Sequence, residues 1–147
     1  MSETHAPARI LVVEDHQQGA ELLEAFLAGS GYEVRTALGG EASLGVVREW
    51  KPDLVLLDVM MPRLSGFEVC KQIKADPKTH NVAVIMVTAL DQPSDIDRAV
   101  EVGTNDFITK PINKAELLLR IRAMLAHRRG QELPDTIDYI NAVQSGR

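Results

Sequence analysis

Short apolar runs alternate five times with segments of helical period, and that alternation leaves the chain few architectures to choose from. Ile10-Leu11-Val12-Val13, Tyr32 to Ala37, Leu54-Val55-Leu56-Leu57, Val84-Ile85-Met86-Val87 and Phe107-Ile108-Thr109 read as strands. After the first, Gly19, Leu22, Leu23, Phe26 and Leu27 recur at helical spacing, and Gly29-Ser30-Gly31 ends that helix. Glu41 to Trp50 is the second predicted helix, with Val46, Val47 and Trp50 inward and Pro52 as its stop. Ser65 to Lys74 is the third, with Val69, Cys70 and Ile73 on one face. Ser94 is the expected N-cap of a fourth helix running to Val102, with Gly103 at C′. Asn113 caps the fifth, whose stripe is Leu117, Leu118, Ile121, Met124 and Leu125; His127, Arg128 and Arg129 carry the charge sign that suits its C-terminus. Five βα units predict a parallel sheet covered by helices on both faces. The more polar Tyr32–Ala37 strand suits a sheet edge.

A length of 147 residues suits one domain with a proper core. The net charge of −5 argues against a nucleic-acid surface, which normally carries a basic stripe. A single cysteine cannot close an internal disulfide, so a reducing compartment is the natural setting. The N-terminus lacks the basic start and apolar centre of a signal peptide, and no apolar stretch approaches the ~18 residues of a membrane helix. The expectation is a cytoplasmic protein with neither nucleic acid nor membrane as a direct partner. Residues 1–8 are expected to be disordered. Residues 130–147 form an extension, with Pro134, Ile137, Tyr139, Ile140 and Val143 compatible with either a short helix or a linker.

A parallel sheet of this kind binds ligands beyond the carboxyl ends of its strands, and those ends are polar here. The first strand runs into Glu14-Asp15, the third closes on Asp58, the fourth ends at Thr88 and the fifth runs into Lys110-Pro111. Three carboxylates brought together repel by roughly 4 kcal/mol per pair at 4 Å in an effective dielectric near 20. Lys110 offsets part of that repulsion and a hard divalent cation would offset more. Oxygen-only ligands favour Mg²⁺ over zinc. Phosphoryl chemistry follows naturally, with Asp58 as nucleophile forming an acyl phosphate, Lys110 balancing charge and the Thr88 hydroxyl donating to a phosphoryl oxygen. Taken singly, these residues have plainer readings. Glu14-Asp15 suits a helix start, Thr88 is a β-former, Phe107 suits a core, Cys70 reads as an inert buried thiol, and the four histidines show no ligand spacing.

Together, Ile10-Leu11-Val12-Val13-Glu14-Asp15, Leu56-Leu57-Asp58-Val59-Met60-Met61-Pro62 with Gly66, Val87-Thr88-Ala89 and Phe107-Ile108-Thr109-Lys110-Pro111 resemble the motif set of bacterial response-regulator receiver domains, the CheY-like superfamily. The resemblance covers roughly residues 9–129 and implies a flavodoxin-like (βα)5 fold with strand order 2-1-3-4-5. It implies Asp58 as phosphoacceptor from a sensor histidine kinase or phosphotransfer protein. Mg²⁺ would be held by Asp15, Glu14, Asp58 and the backbone carbonyl of Met60. Thr88 and Phe107 would form the switch, and Lys110-Pro111 would be a cis peptide. The output would pass through α4-β5-α5 to a downstream effector or output domain, with no enzyme activity beyond autophosphorylation from small donors and self-dephosphorylation. Glu101, Asp106, Arg120 and Arg122 correspond to a surface that pairs two copies in one subfamily, although Ile96 stands where an arginine is common there. Met60 and Leu90 flank the acceptor site in the family, and two apolar groups there cannot orient an attacking water, so self-dephosphorylation is expected to be slow.

Neighbouring folds fit less well. A flavodoxin-type cofactor protein needs a Ser/Thr/Gly-rich loop where Glu14-Asp15-His16-Gln17-Gln18 stands. A dehalogenase-type phosphatase wants a second acid at Met60, and no P-loop is present. Two alternatives stay open: a phosphate-independent interaction scaffold, and the regulatory part of a longer enzyme such as a nucleotide cyclase.

Overall fold

The structure, a computed structural model, describes residues 6–89 and 92–128. The expectations for residues 1–5, Leu90 and the extension beyond residue 129 lie outside the described residues. Among the described residues five strands and five helices alternate: β1 (Arg9–Val13), α1 (Gln17–Leu27), β2 (Glu33–Ala37), α2 (Gly40–Trp50), β3 (Leu54–Asp58), α3 (Gly66–Ala75), β4 (Ala83–Thr88), α4 (Pro93–Glu101), β5 (Asp106–Thr109) and α5 (Lys114–Arg128). All strand pairs are parallel, in the order β2-β1-β3-β4-β5.

Alternation along the strands divides the core into two layers, because successive side chains point to opposite faces. Leu11, Val13, Val55, Leu57, Val84, Met86 and Phe107 pack on one face against Val47 and Trp50 of α2, Val69, Cys70 and Ile73 of α3, and Ala99 of α4. Ile10, Val12, Leu54, Leu56, Ile85, Val87 and Ile108 pack on the other against Leu23 and Leu27 of α1 and Leu117, Ile121, Met124 and Leu125 of α5. Every residue of β3 and β4 is buried, as both faces of central strands must be. The edge strand β2 buries only Ala37 fully.

Local chemistry sets the helix ends. Ser65 caps α3 in a capping box with Glu68. Asn113 Oδ1 accepts from the Glu116 N–H at 2.9 Å, which starts α5. Lys51 takes a left-handed conformation to end α2 just before Pro52. Three expectations need correction. The N-cap of α4 is Gln92 rather than Ser94, because Pro93 takes the first helical position, where its missing N–H costs nothing. The buried stripe of α1 is Ala20, Leu23 and Leu27, with Leu22 exposed; Leu22 lies about 100° around the helix from Leu23, beyond the arc that the sheet covers. Ala8 is not loose: its carbonyl accepts from Glu33 N–H at 2.9 Å, extending the β1–β2 ladder, and its side chain packs on the α1/α5 layer.

The chain steps from β1 outward to β2, then crosses back over β1 through α2 to β3. Strand order therefore reverses between β1 and β3, and the crevice at their carboxyl ends is where such folds place ligands.

Candidate functional site

Glu14 and Asp15 leave the end of β1 at this crevice, and the Glu14 N–H is tied to the Ala37 carbonyl of β2 at 3.2 Å. Asp58 is the last residue of β3, in register with Val87 of β4. Beyond it the chain turns tightly: Met61 N–H and Gly66 N–H both donate to the Val59 carbonyl at 3.0 Å. Gly66 is required by close approach. A Cβ there would lie 2.4 Å from the Asp58 carbonyl oxygen and 2.7 Å from Val59 Cα. Thr88 ends β4, fully buried, and its carbonyl accepts from Lys110 N–H at 2.8 Å. The Lys110-Pro111 peptide is cis.

These elements bring one carboxylate oxygen each from Glu14, Asp15 and Asp58 within 4.8 Å of one another. Lys110 Nζ stands 3.6 Å from Glu14 Oε1 and 3.8 Å from Asp58 Oδ1. Asp58 Oδ1 also accepts a long hydrogen bond, 3.4 Å, from the Met60 N–H. Three acids face one amine, and Glu14 and Asp58 are both buried. Burial, then the hydrogen bond to and charge of Asp58, push the Glu14 carboxyl up to about 8; Lys110 opposes the shift and Asp15 adds to it. Among the described residues, Glu14 Oε2 and Asp15 Oδ1 are buried without a hydrogen-bond partner. Buried orphan carboxylate oxygens are costly. Hard oxygen donors carrying excess negative charge fit a divalent cation such as Mg²⁺. His16 lies at the rim, its Nε2 3.8 Å from Asp15 Oδ2.

Phe107 is buried in the core layer that α2, α3 and α4 cover. Its carbonyl accepts from Arg120 Nη1 at 3.3 Å, which links β5 to α5. The residues expected on a pairing surface divide. Glu101 and Arg122 are exposed. Asp106 and Arg120 are not surface residues: they are 0% and 3% exposed and form a salt bridge of 2.7 Å with each other. Asp106 starts β5 opposite Ile85, facing inward, and Arg120 follows Leu117 by one turn on the buried side of α5. Burial raises the Asp106 carboxyl above its usual range, while Arg120 and the Phe107 N–H hold it down. Sequence reasoning missed this pair, though an arginine beside the apolar stripe of α5 was its visible signal.

The family model for the response regulator receiver domain matches residues 10–122. The chain is 45% identical over 117 residues to the response regulator PleD of Caulobacter vibrioides, covering 80% of this chain and 26% of that protein. It is 33% identical over 138 residues to the DNA-binding dual master transcriptional regulator RpaA of Synechocystis, covering 94% of this chain and 56% of that protein. The chain thus spans about a quarter of the first relative and little more than half of the second. Among solved structures it resembles the signal receiver domain of a signal transduction histidine kinase from Syntrophus aciditrophicus, with TM-score 0.79, 33% identity, and coverage of 85% of this chain and 95% of that one. A putative response regulator from Chloroflexus aurantiacus gives 0.78 at 37% identity, covering 82% and 98%. The matched span runs from the second residue of β1 into α5 and takes in every residue of the acidic crevice, and the chain belongs to the response regulator receiver domain family.

Proposed function

We propose that the domain is a phosphorylation-operated switch in a two-component pathway, taking a phosphoryl group onto Asp58 from the phosphohistidine of a sensor histidine kinase or phosphotransfer protein. The observation that carries this reading is the setting of Asp58, buried at the end of a central strand, with the Lys110 amine 3.8 Å from its Oδ1. In the transfer an Asp58 oxygen bonds to phosphorus as the phosphorus–nitrogen bond to the donor breaks, and the imidazole leaves with its electron pair. Glu14, Asp15, Asp58 and the Met60 carbonyl are the groups that would hold Mg²⁺, which when bound neutralises charge on the phosphoryl oxygens. Lys110 balances the same charge from the β5 side. The Thr88 hydroxyl, on the neighbouring strand end, donates to a phosphoryl oxygen.

The phosphoryl group carries about −1.5 to −2 charge at pH 7, in place of the single charge of the carboxylate it joins. Its pull on Thr88 and Lys110 acts on β4 and β5, and so on Phe107 and on the packing of α4 and α5. Full conversion between two packings needs about 5.5 kcal/mol of differential stabilisation. The domain is a stoichiometric acceptor rather than an enzyme, acting in the cytoplasm on a downstream effector or output domain.

Both relatives extend well beyond the match. That supports a compatible second reading, in which the output lies in another domain of a longer regulator. A phosphate-independent scaffold is disfavoured, since it has no use for three acids and an amine held in one crevice.

The test is to incubate the protein with a small-molecule phosphodonor and Mg²⁺ and to weigh wild type and Asp58→Asn intact. One phosphoryl mass on the wild type alone is expected. No gain in the wild type, or equal gain in both, overturns the proposal.

A further inference from the structure

Glu14 carries one more methylene than an aspartate would at the same strand end, yet its side chain is almost wholly enclosed, at 2% exposure. Space for it comes from α1. A Cβ built on Gly19 would lie 2.2 Å from Glu14 Oε1, 2.9 Å from Cδ and 3.1 Å from Cγ. Ordinary contact begins near 3.5 Å, so any side chain at position 19 collides with the carboxylate and with the carbons behind it. The backbone makes no demand for glycine here. Gly19 lies in the first turn of regular helix and is not among the positive-φ residues. A helical glycine costs roughly 1 kcal/mol relative to alanine. Gly45 of α2 is a useful contrast, being a helical glycine with open space around its missing Cβ.

We infer that Gly19 is a positioning residue for the cation site: its missing side chain is what seats the long Glu14 carboxylate beside Asp15, Asp58 and Lys110. The inference rests on the cation reading above and concerns how this chain builds the site. Glu14 Oε1, the atom that a Cβ would strike first, is also the atom 3.6 Å from Lys110 Nζ. The obstacle is the end of a flexible side chain, so an alanine is accommodated by evicting Glu14 rather than by moving backbone. Eviction also returns to solvent a buried carboxyl whose Oε2 has no hydrogen-bond partner among the described residues. Gly19→Ala should therefore spare the fold and damage the site, the opposite of what a structural glycine does.

The experiment compares wild type, Gly19→Ala, Glu14→Asp and the double variant, measuring Mg²⁺ affinity by calorimetry and thermal midpoints with chelator and with saturating Mg²⁺. Gly19→Ala is expected to keep or raise the midpoint in chelator, while its Mg²⁺ dissociation constant rises about tenfold. The shorter acid leaves room for the methyl, so the double variant should bind Mg²⁺ within about twofold of Glu14→Asp alone, the non-additivity expected of touching residues. Wild-type affinity in Gly19→Ala, or a double variant weakened by the product of the two single effects, overturns the inference while leaving the cation reading intact. A wild type that takes up no Mg²⁺ overturns the cation reading and this inference with it.

Discussion

Asp106 and Arg120 meet at 2.7 Å inside the protein, the first at the start of β5 and the second on α5, and neither reaches solvent. Arg120 also donates to the Phe107 carbonyl, so one guanidinium joins α5 to both residues that open β5. The pair ties together the two elements whose relative packing the proposed switch would change. Replacing Arg120 by Met leaves a buried charge without its partner, and urea unfolding should show a loss of about 3–5 kcal/mol. Adding Asp106→Asn removes the orphaned charge and should recover much of that loss. A single-variant cost within error of zero would show that the pair does not hold β5 to α5.

Glu14 makes stability depend on pH in a direction unusual for an acid. Its carboxyl is raised from 4.5 to about 8 by folding, so between those values the native state holds a proton that the unfolded chain has released. Stability in chelator should therefore fall as pH rises through that window, because the native state binds more protons than the unfolded one. Glu14→Gln should flatten the slope. Mg²⁺ must displace the same proton, so its affinity should climb over the same range. Denaturation and Mg²⁺ titrations at both ends of the window measure the two slopes, and a rise of wild-type stability with pH there contradicts the assignment.

Asp58→Asn removes one of three crowded acids. Without Mg²⁺ and above about pH 8, where Glu14 too is ionised, the variant should be more stable than wild type by on the order of 1 kcal/mol, the repulsion it relieves being partly offset by the lost attraction to Lys110. Saturating Mg²⁺ should then raise the wild-type midpoint far more than that of the variant. Equal Mg²⁺ shifts in the two proteins would place the cation elsewhere.

Two glycine-to-alanine changes should move stability in opposite directions. At Gly66 the methyl meets the backbone of Asp58 and Val59, which cannot give way, and a loss of about 1–3 kcal/mol is expected together with slower acceptance of phosphate. At Gly45 the methyl meets nothing within 4 Å, and a gain of up to about 1 kcal/mol follows from helix propensity. Chemical denaturation of the two variants side by side decides it.

Met60 is exposed beside the acceptor, and its apolar side chain cannot orient an attacking water by strong hydrogen bonds. The phosphoryl group on Asp58 should outlast the seconds scale after donor removal. Decay within seconds, followed by intact mass, would exclude slow self-dephosphorylation.

The fold was legible in the chain because its signals are local and repeated. Continuous apolar runs in β1, β3 and β4, helical spacing in α3 and α5, and stops at Pro52 and Gly103 are each signals only a few residues long, and together they predict an alternating α/β sheet. The polar strand ends were legible for the same reason: Glu14, Asp15, Asp58, Thr88 and Lys110 each follow an apolar run, and a parallel sheet gathers such ends at one edge. What the sequence determined by itself is thus the architecture and the composition of the crevice. Only the tertiary structure decided which charged residues face inward. Asp106 and Arg120 read as surface charges until β5 and α5 are packed, because burial of a charge depends on a partner fourteen residues away rather than on its neighbours in sequence. Gly19 read as one more residue of an amphipathic stripe until Glu14 was seen in the space beside it. Periodicity reports which way a residue faces; close approach depends on atoms from segments that only folding brings together.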